Sequence, residues 1–116
     1  MDEIVSPRAQ KLARQIQRDI GEILQRDRSY SVPGVMVSVT VVRVSSDLSF
    51  AKIYVSVFPF DRHKEVLAKL KENAWSVRKA LAAKMRHQIK SIPEIAFYLD
   101  DSLEYADSIE TALRKL

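Results

Sequence analysis

Val35-Met36-Val37-Ser38-Val39-Thr40-Val41-Val42-Arg43-Val44 and Ala51-Lys52-Ile53-Tyr54-Val55-Ser56-Val57 decide the fold. In the first stretch Val35, Val37, Val39 and Val41 alternate with Met36, Ser38, Thr40 and Val42. In the second, Ala51, Ile53, Val55 and Val57 alternate with Lys52, Tyr54 and Ser56. β-Branched residues at a period of two predict strands with one face turned to a core. Ser45-Ser46-Asp47 between them offers hydroxyl and carboxylate acceptors for a tight connection, which predicts an antiparallel hairpin.

Upstream of the hairpin, Ser6-Pro7 is a helix-start signature: the serine oxygen accepts an orphan N–H, and proline gives up a donor that had no partner. Leu12, Ile16, Ile20, Ile23 and Leu24 then recur at helical spacing, predicting an amphipathic helix from about Pro7 to Arg28. Ser29-Tyr30-Ser31-Val32-Pro33-Gly34 is a turn by composition. Downstream, Pro59 and Asp61 end the second strand, and neither Gly nor Pro interrupts the helical region from about Arg62 to Lys90. Ile92-Pro93 closes that region. Ile95, Phe97 and Leu99 alternate with Ala96 and Tyr98 as a third short strand, which Asp100-Asp101-Ser102 stops. A last amphipathic helix with Ile109, Leu113 and Leu116 on one face completes the chain. The predicted class is α+β, a three-stranded sheet covered by helices on one face.

The 116 residues, 47% of them hydrophobic, suffice for one domain, expected to span 1–116 with about 6–115 ordered. Absence of cysteine excludes disulfides, thiolate nucleophiles and Cys-type metal sites. The start of the chain has no signal-peptide pattern, and no apolar stretch is long enough to cross a bilayer, so a cytoplasmic protein without a membrane partner is expected.

Charge is unevenly placed. The formal total is +4, but residues 62–90 hold nine basic side chains against Glu65 and Glu72, while residues 91–116 hold six acidic and two basic ones. On an unbroken helix Lys64, Lys71, Arg78, Lys79, Arg86 and Lys90 would share an arc of roughly 120°. Val66, Leu67, Leu70, Ala74, Val77, Leu81 and Met85 would occupy another arc, facing the sheet. A basic ridge of this kind follows a phosphate backbone, because each cation that displaces a condensed counterion gains the entropy of its release. The alternative is an ordinary solvated helix face. Trp75 falls in the basic arc; packing on the sheet edge as core is expected, with stacking on an exposed base as the alternative. Arg8, Lys11, Arg14 and Arg18 line one flank of the first helix, with Asp19 and Glu22 among them.

Other groups resemble chemistry without carrying its pattern. Asp100-Asp101 with Glu104 and Asp107 suggests a Mg²⁺ site, against which stands the reading of a turn and favourable negative charge at a helix N-terminus. His63 and His87 lack an HExxH or CxxC companion, and His87 beside Arg86 and Lys90 fits a phosphate or base contact. Neither a phosphate-binding glycine loop nor a nucleophile elbow is present. The chain is expected not to be an enzyme and to need no cofactor, metal or small-molecule substrate.

Two segments carry a family likeness. Val42-Arg-Val-Ser-Ser-Asp-Leu-Ser-Phe-Ala-Lys-Ile-Tyr-Val-Ser-Val57 resembles the hairpin of the ribosome-binding factor A family, and Ile92-Pro-Glu-Ile-Ala-Phe-Tyr-Leu-Asp-Asp-Ser-Leu103 resembles its third strand. The opening helix, Arg8 to Leu24, fits the same family, so the resemblance covers about residues 6–115. It implies a KH-like, type II-like fold of helix-strand-strand-helix-kink-helix-strand, plus a short C-terminal helix. It also implies a factor acting in late maturation of the small (30S) ribosomal subunit and in processing of its rRNA, with most effect in the cold. The implied partner is that subunit, through 16S rRNA and its precursor, and a monomer is expected. The implied kink falls nearest Asn73-Ala74-Trp75-Ser76, where no glycine stands, and a bend there divides the ridge into patches at Lys64 to Lys71 and Arg78 to Lys90. The chain stops at Lys115-Leu116 without the long basic tail of some relatives, so the folded domain is expected to supply the affinity for RNA. The expected RNA-binding residues are Arg8, Lys11, Arg14, Lys64, Lys71, Arg78, Lys79, Lys84, Arg86, His87 and Lys90. A KH-like module with another RNA target and a protein-interaction module remain as alternatives.

Overall fold

A computed structural model describes residues 6–101. Helix α1 spans Pro7–Arg26, started by Ser6, whose side chain accepts the Ala9 N–H at 3.1 Å. It stops two residues short of the expected Arg28 because the Asp27 carboxylate takes the Ser29 N–H (3.0 Å) and hydroxyl (2.6 Å), turning the chain into a 3-10 turn at Arg28–Tyr30. Pro33-Gly34 then makes a tight turn closed by Val35 N–H donating to Val32 O at 3.1 Å. Gly34 has φ 78, the left-handed value that the third position of a type II turn requires.

Strands β1 (Met36–Val44) and β2 (Phe50–Phe58) form the expected antiparallel hairpin. After helices α2 (His63–Glu72) and α3 (Ala74–Met85), strand β3 (Glu94–Leu99) returns parallel to β2, giving the sheet order β1-β2-β3. The helices cover one face of this sheet, α1 over β1 and α2 and α3 towards β3. The predicted C-terminal helix with Ile109, Leu113 and Leu116 lies outside the described residues.

The strict alternation expected of β1 breaks at Thr40. Val39 pairs with Val55 and Val41 with Tyr54, so Thr40 is an extra residue that changes the strand's phase. Val42 and Val44 are therefore buried, although the simple period would turn Val42 outward. The bulge is held on two sides. From α1, Gln17 Nε2 donates to Thr40 O (3.2 Å) and Val39 O (3.5 Å); Thr40 Oγ1 donates to Asp100 Oδ2 (2.5 Å), just past β3.

The core lies between sheet and helices. Leu12, Ile16, Ile20, Ile23 and Leu24 of α1 are all buried, as their spacing predicts, against Ala51, Ile53, Val55 and Val57 of β2 and Phe97 of β3. Each fully buried aliphatic side chain contributes about 1.5–3 kcal/mol, so this face fixes α1 on the sheet. The opposite face of the sheet is uncovered by any helix among the described residues.

Candidate nucleic-acid interface

The helical region after Arg62 is two helices that meet at Asn73, so the single basic arc expected of an unbroken helix does not form. Asn73 ends α2 by donating its N–H to Lys69 O (3.1 Å) and Leu70 O (3.2 Å) and its side-chain amide to Lys69 O (2.8 Å). Its own carbonyl accepts the Val77 N–H at 3.0 Å and so opens α3. With φ −104 and ψ 13, Asn73 makes this break without the left-handed backbone that favours glycine. The apolar face survives the break: Val66 and Leu70 of α2 and Val77, Leu81 and Met85 of α3 are all buried.

Helix α3 ends at Met85, which leaves Arg86, His87 and Lys90 on the connection to β3. Arg78 holds that connection in place. Its Nη2 donates to Ile92 O (2.6 Å) and its Nε to Pro93 O (2.9 Å), so this guanidinium is committed to the main chain. Lys84 also has a partner: its ammonium meets Glu22 Oε1 of α1 at 2.9 Å and, as hydrogen-bond donor and as charge, holds that carboxyl below the usual carboxylate range.

The other expected contact residues lie at one end of the helical layer and along α2 and the first turns of α3. At one end of the helical layer, Arg8, Lys11, Leu12 and Gln15 of α1 line a cleft of about 510 Å³ with Leu48 of the hairpin turn and Met85, Gln88 and Ile89. Met85, Gln88 and Ile89 thus bring the segment that also carries Arg86, His87 and Lys90 alongside the first turns of α1, and Arg14 is exposed on α1. At the break between α2 and α3, Lys71 and Ala74 line a second cleft, of about 300 Å³, against Ile95, Ala96, Phe97 and Tyr98 of β3. Lys64 stands two turns before Lys71 on α2, and Lys79 one turn into α3. Among the described residues Arg8, Lys11, Arg14, Lys64, Lys71, Lys79, Arg86 and Lys90 have no carboxylate partner.

Trp75 corrects the core expectation. It is 70% exposed, with the Lys79 ammonium 5.3 Å from its ring centroid. The apolar face of α3 points elsewhere, and the indole belongs to the basic surface. As for the acidic residues after β3, Asp100 accepts from the Thr40 hydroxyl, Glu104 and Asp107 lie outside the described residues, and among the described residues no group of three or more His, Asp or Glu side chains could hold a metal ion.

The ribosome-binding factor A family model matches residues 8–113. The chain belongs to that family. A ribosome-binding factor A from Christiangramia forsetii is 41% identical over 108 residues, which cover 92% of this chain and 82% of the relative. The solution NMR structure of a Thermotoga maritima protein assigned as a ribosome-binding factor A superposes with a TM-score of 0.66 at 30% identity, over 79% of this chain and 86% of that one. A homology model of the Thermus thermophilus ribosome-binding factor A, fitted into a cryo-EM map of a 30S complex, shares the fold with a TM-score of 0.64 at 24% identity, over 77% of this chain and 91% of that one. The α+β, KH-like architecture expected of the ribosome-binding factor A family is therefore the architecture found.

Residue reasoning missed a further group on the uncovered sheet face of this family member. Tyr54 stacks on Tyr98 with centroids 5.5 Å apart, the Lys52 ammonium lies 5.8 Å from the Tyr98 ring, and Arg43 pairs across the hairpin with Lys52. Glu94 sits on the same face, opposite Phe50. The period-two pattern already marked Lys52, Tyr54 and Tyr98 as facing away from the core. Nothing in that pattern says that the three side chains meet, because Tyr98 reaches Tyr54 only through the pairing of β3 with β2.

Proposed function

We propose that this member of the ribosome-binding factor A family binds the small ribosomal subunit during late maturation and assists the processing of its rRNA. It holds structured 16S rRNA or its precursor through the helical layer. The observation that carries this is a set of cations, at the α2–α3 break and around the α1 cleft, with no carboxylates set against them among the described residues. Phosphates of a folded RNA match such an array, and shape and phosphate position supply the selectivity because A-form helices hide their major-groove edges. The 30S complex of the Thermus thermophilus relative supports the choice of subunit. The protein works in the cytoplasm as a monomeric binding factor whose task is to dock and leave, not to catalyse.

Co-sedimentation with small-subunit precursors and with mature subunits tests this reading. The wild type is expected to travel with precursors in preference to mature subunits. A variant carrying Lys64→Glu, Lys71→Glu, Lys79→Glu and Arg86→Glu is expected to remain at the top of the gradient; Arg78 is left intact because the fold uses it. Equal recovery of both proteins with precursors would remove the RNA-binding surface and leave a protein-interaction module.

A further inference from the structure

Trp75 stands in the first turn of α3, immediately after the Asn73 break, and no packing role accounts for it. Val77, Leu81 and Met85 fill the apolar face of α3 and are almost wholly buried, whereas the indole is 70% exposed. The Lys79 ammonium covers one side of the ring at 5.3 Å and has no carboxylate partner among the described residues. Lys71, one turn before Trp75, and Ala74, next to it, line the cleft that runs to the Ile95–Tyr98 stretch of β3. Glu72 is the acidic residue of this stretch, at the last position of α2. Phe58 is still more exposed, at 74%, but among the described residues no cation lies over its ring.

An open aromatic face with an ammonium group over its other side is what an unpaired nucleotide requires. Its base stacks on the ring in a way that tolerates any sequence, and its phosphates meet the cations. A duplex offers no such contact because its bases are already stacked on one another. We infer that Trp75 and Lys79 clamp one unpaired nucleotide of the bound RNA, the base on the indole face that Lys79 leaves free and the adjoining phosphate beside an ammonium. This rests on the RNA-binding reading above and adds a preference for single-stranded segments at the α2–α3 break.

Trp75 is the sole tryptophan of the chain, so its emission reports on the clamp directly. Short oligouridylate is expected to quench that emission saturably, while the same strand paired with oligoadenylate binds, by anisotropy of a labelled strand, and leaves the emission unchanged. Trp75→Ala should weaken oligouridylate binding about 5- to 150-fold with duplex affinity and thermal midpoint unaltered, and Trp75→Phe should restore most of the loss. Unchanged emission at saturating oligouridylate, or equal single-strand affinity in Trp75→Ala, would overturn the clamp while duplex binding kept the RNA reading intact. If neither RNA bound, both would fall together.

Discussion

Arg78 illustrates how a charged side chain in a basic segment can serve the fold. Its guanidinium donates to Ile92 O and Pro93 O, tying the connection that carries Arg86, His87 and Lys90 to the middle of α3. Hydrogen bonds from a charged donor are worth about 1.5–3 kcal/mol, so Arg78→Ala is expected to lower urea-unfolding stability by about 2 kcal/mol. Arg78→Lys keeps the charge but loses the fork, and should cost stability while weakening RNA affinity less than Lys79→Gln does. Asp47 orders the hairpin turn, which carries Leu48 of the cleft. Its carboxylate accepts from Ser45 Oγ, Ser49 Oγ and Ser49 N–H, and these donors, Ser45 first, hold its carboxyl below the usual range. A carboxyl depressed on folding stabilises the native state above its unfolded value of about 3.9, and that contribution fades as pH falls through the lower folded value. Asp47→Asn should therefore lose stability at neutral pH and show a smaller further loss than wild type when urea midpoints are compared at about pH 6 and about pH 2.5.

At the level of elements, the helix and strand pattern was legible where packing follows a period. The apolar faces of α1, α2 and α3 and of β2 were all visible because each buried side chain returns at its own regular spacing. The interruptions were not legible in the same way. The Thr40 bulge depends on Gln17, 23 residues earlier, and on Asp100, 60 residues later, so no local window contains its cause. The Asn73 break left a composition signal at Asn73-Ala74-Trp75-Ser76, yet the exposure of Trp75 follows from which face α3 turns to the sheet. The commitment of Arg78 to the main chain is likewise a tertiary fact, hidden in a run of similar cations. Thr40→Val preserves shape and removes the hydroxyl that binds Asp100. It should cost about 1–2 kcal/mol in chemical denaturation and speed amide exchange across β1 around Val39 to Val41. Unaltered exchange there would mean that Gln17 alone fixes the register.

For the molecule as a whole, the issue is whether the two cation groups grip one RNA together. The cleft group, Arg8 and Lys11 with the nearby segment that carries Arg86 and Lys90, and the second group, Lys64 and Lys71 along α2 with Lys79 of α3, lie on connected elements held by Arg78 and by the Lys84–Glu22 pair. A rigid mount of this kind fixes the spacing between phosphate contacts, and an A-form surface repeats its phosphates at fixed spacing. If about five phosphates are engaged, the logarithm of the association constant should fall with the logarithm of salt concentration at a slope of about −4. Each cation neutralised at the interface should make that slope shallower by about 0.7–0.9. Arg8→Gln with Lys11→Gln, far in sequence from residues 62–90, therefore separates the possibilities. A slope shallower by about 1.5 means that α1 and the helices after β2 hold the same RNA. An unchanged slope means that the cleft end stands off the RNA and that the break between α2 and α3 carries the contact alone.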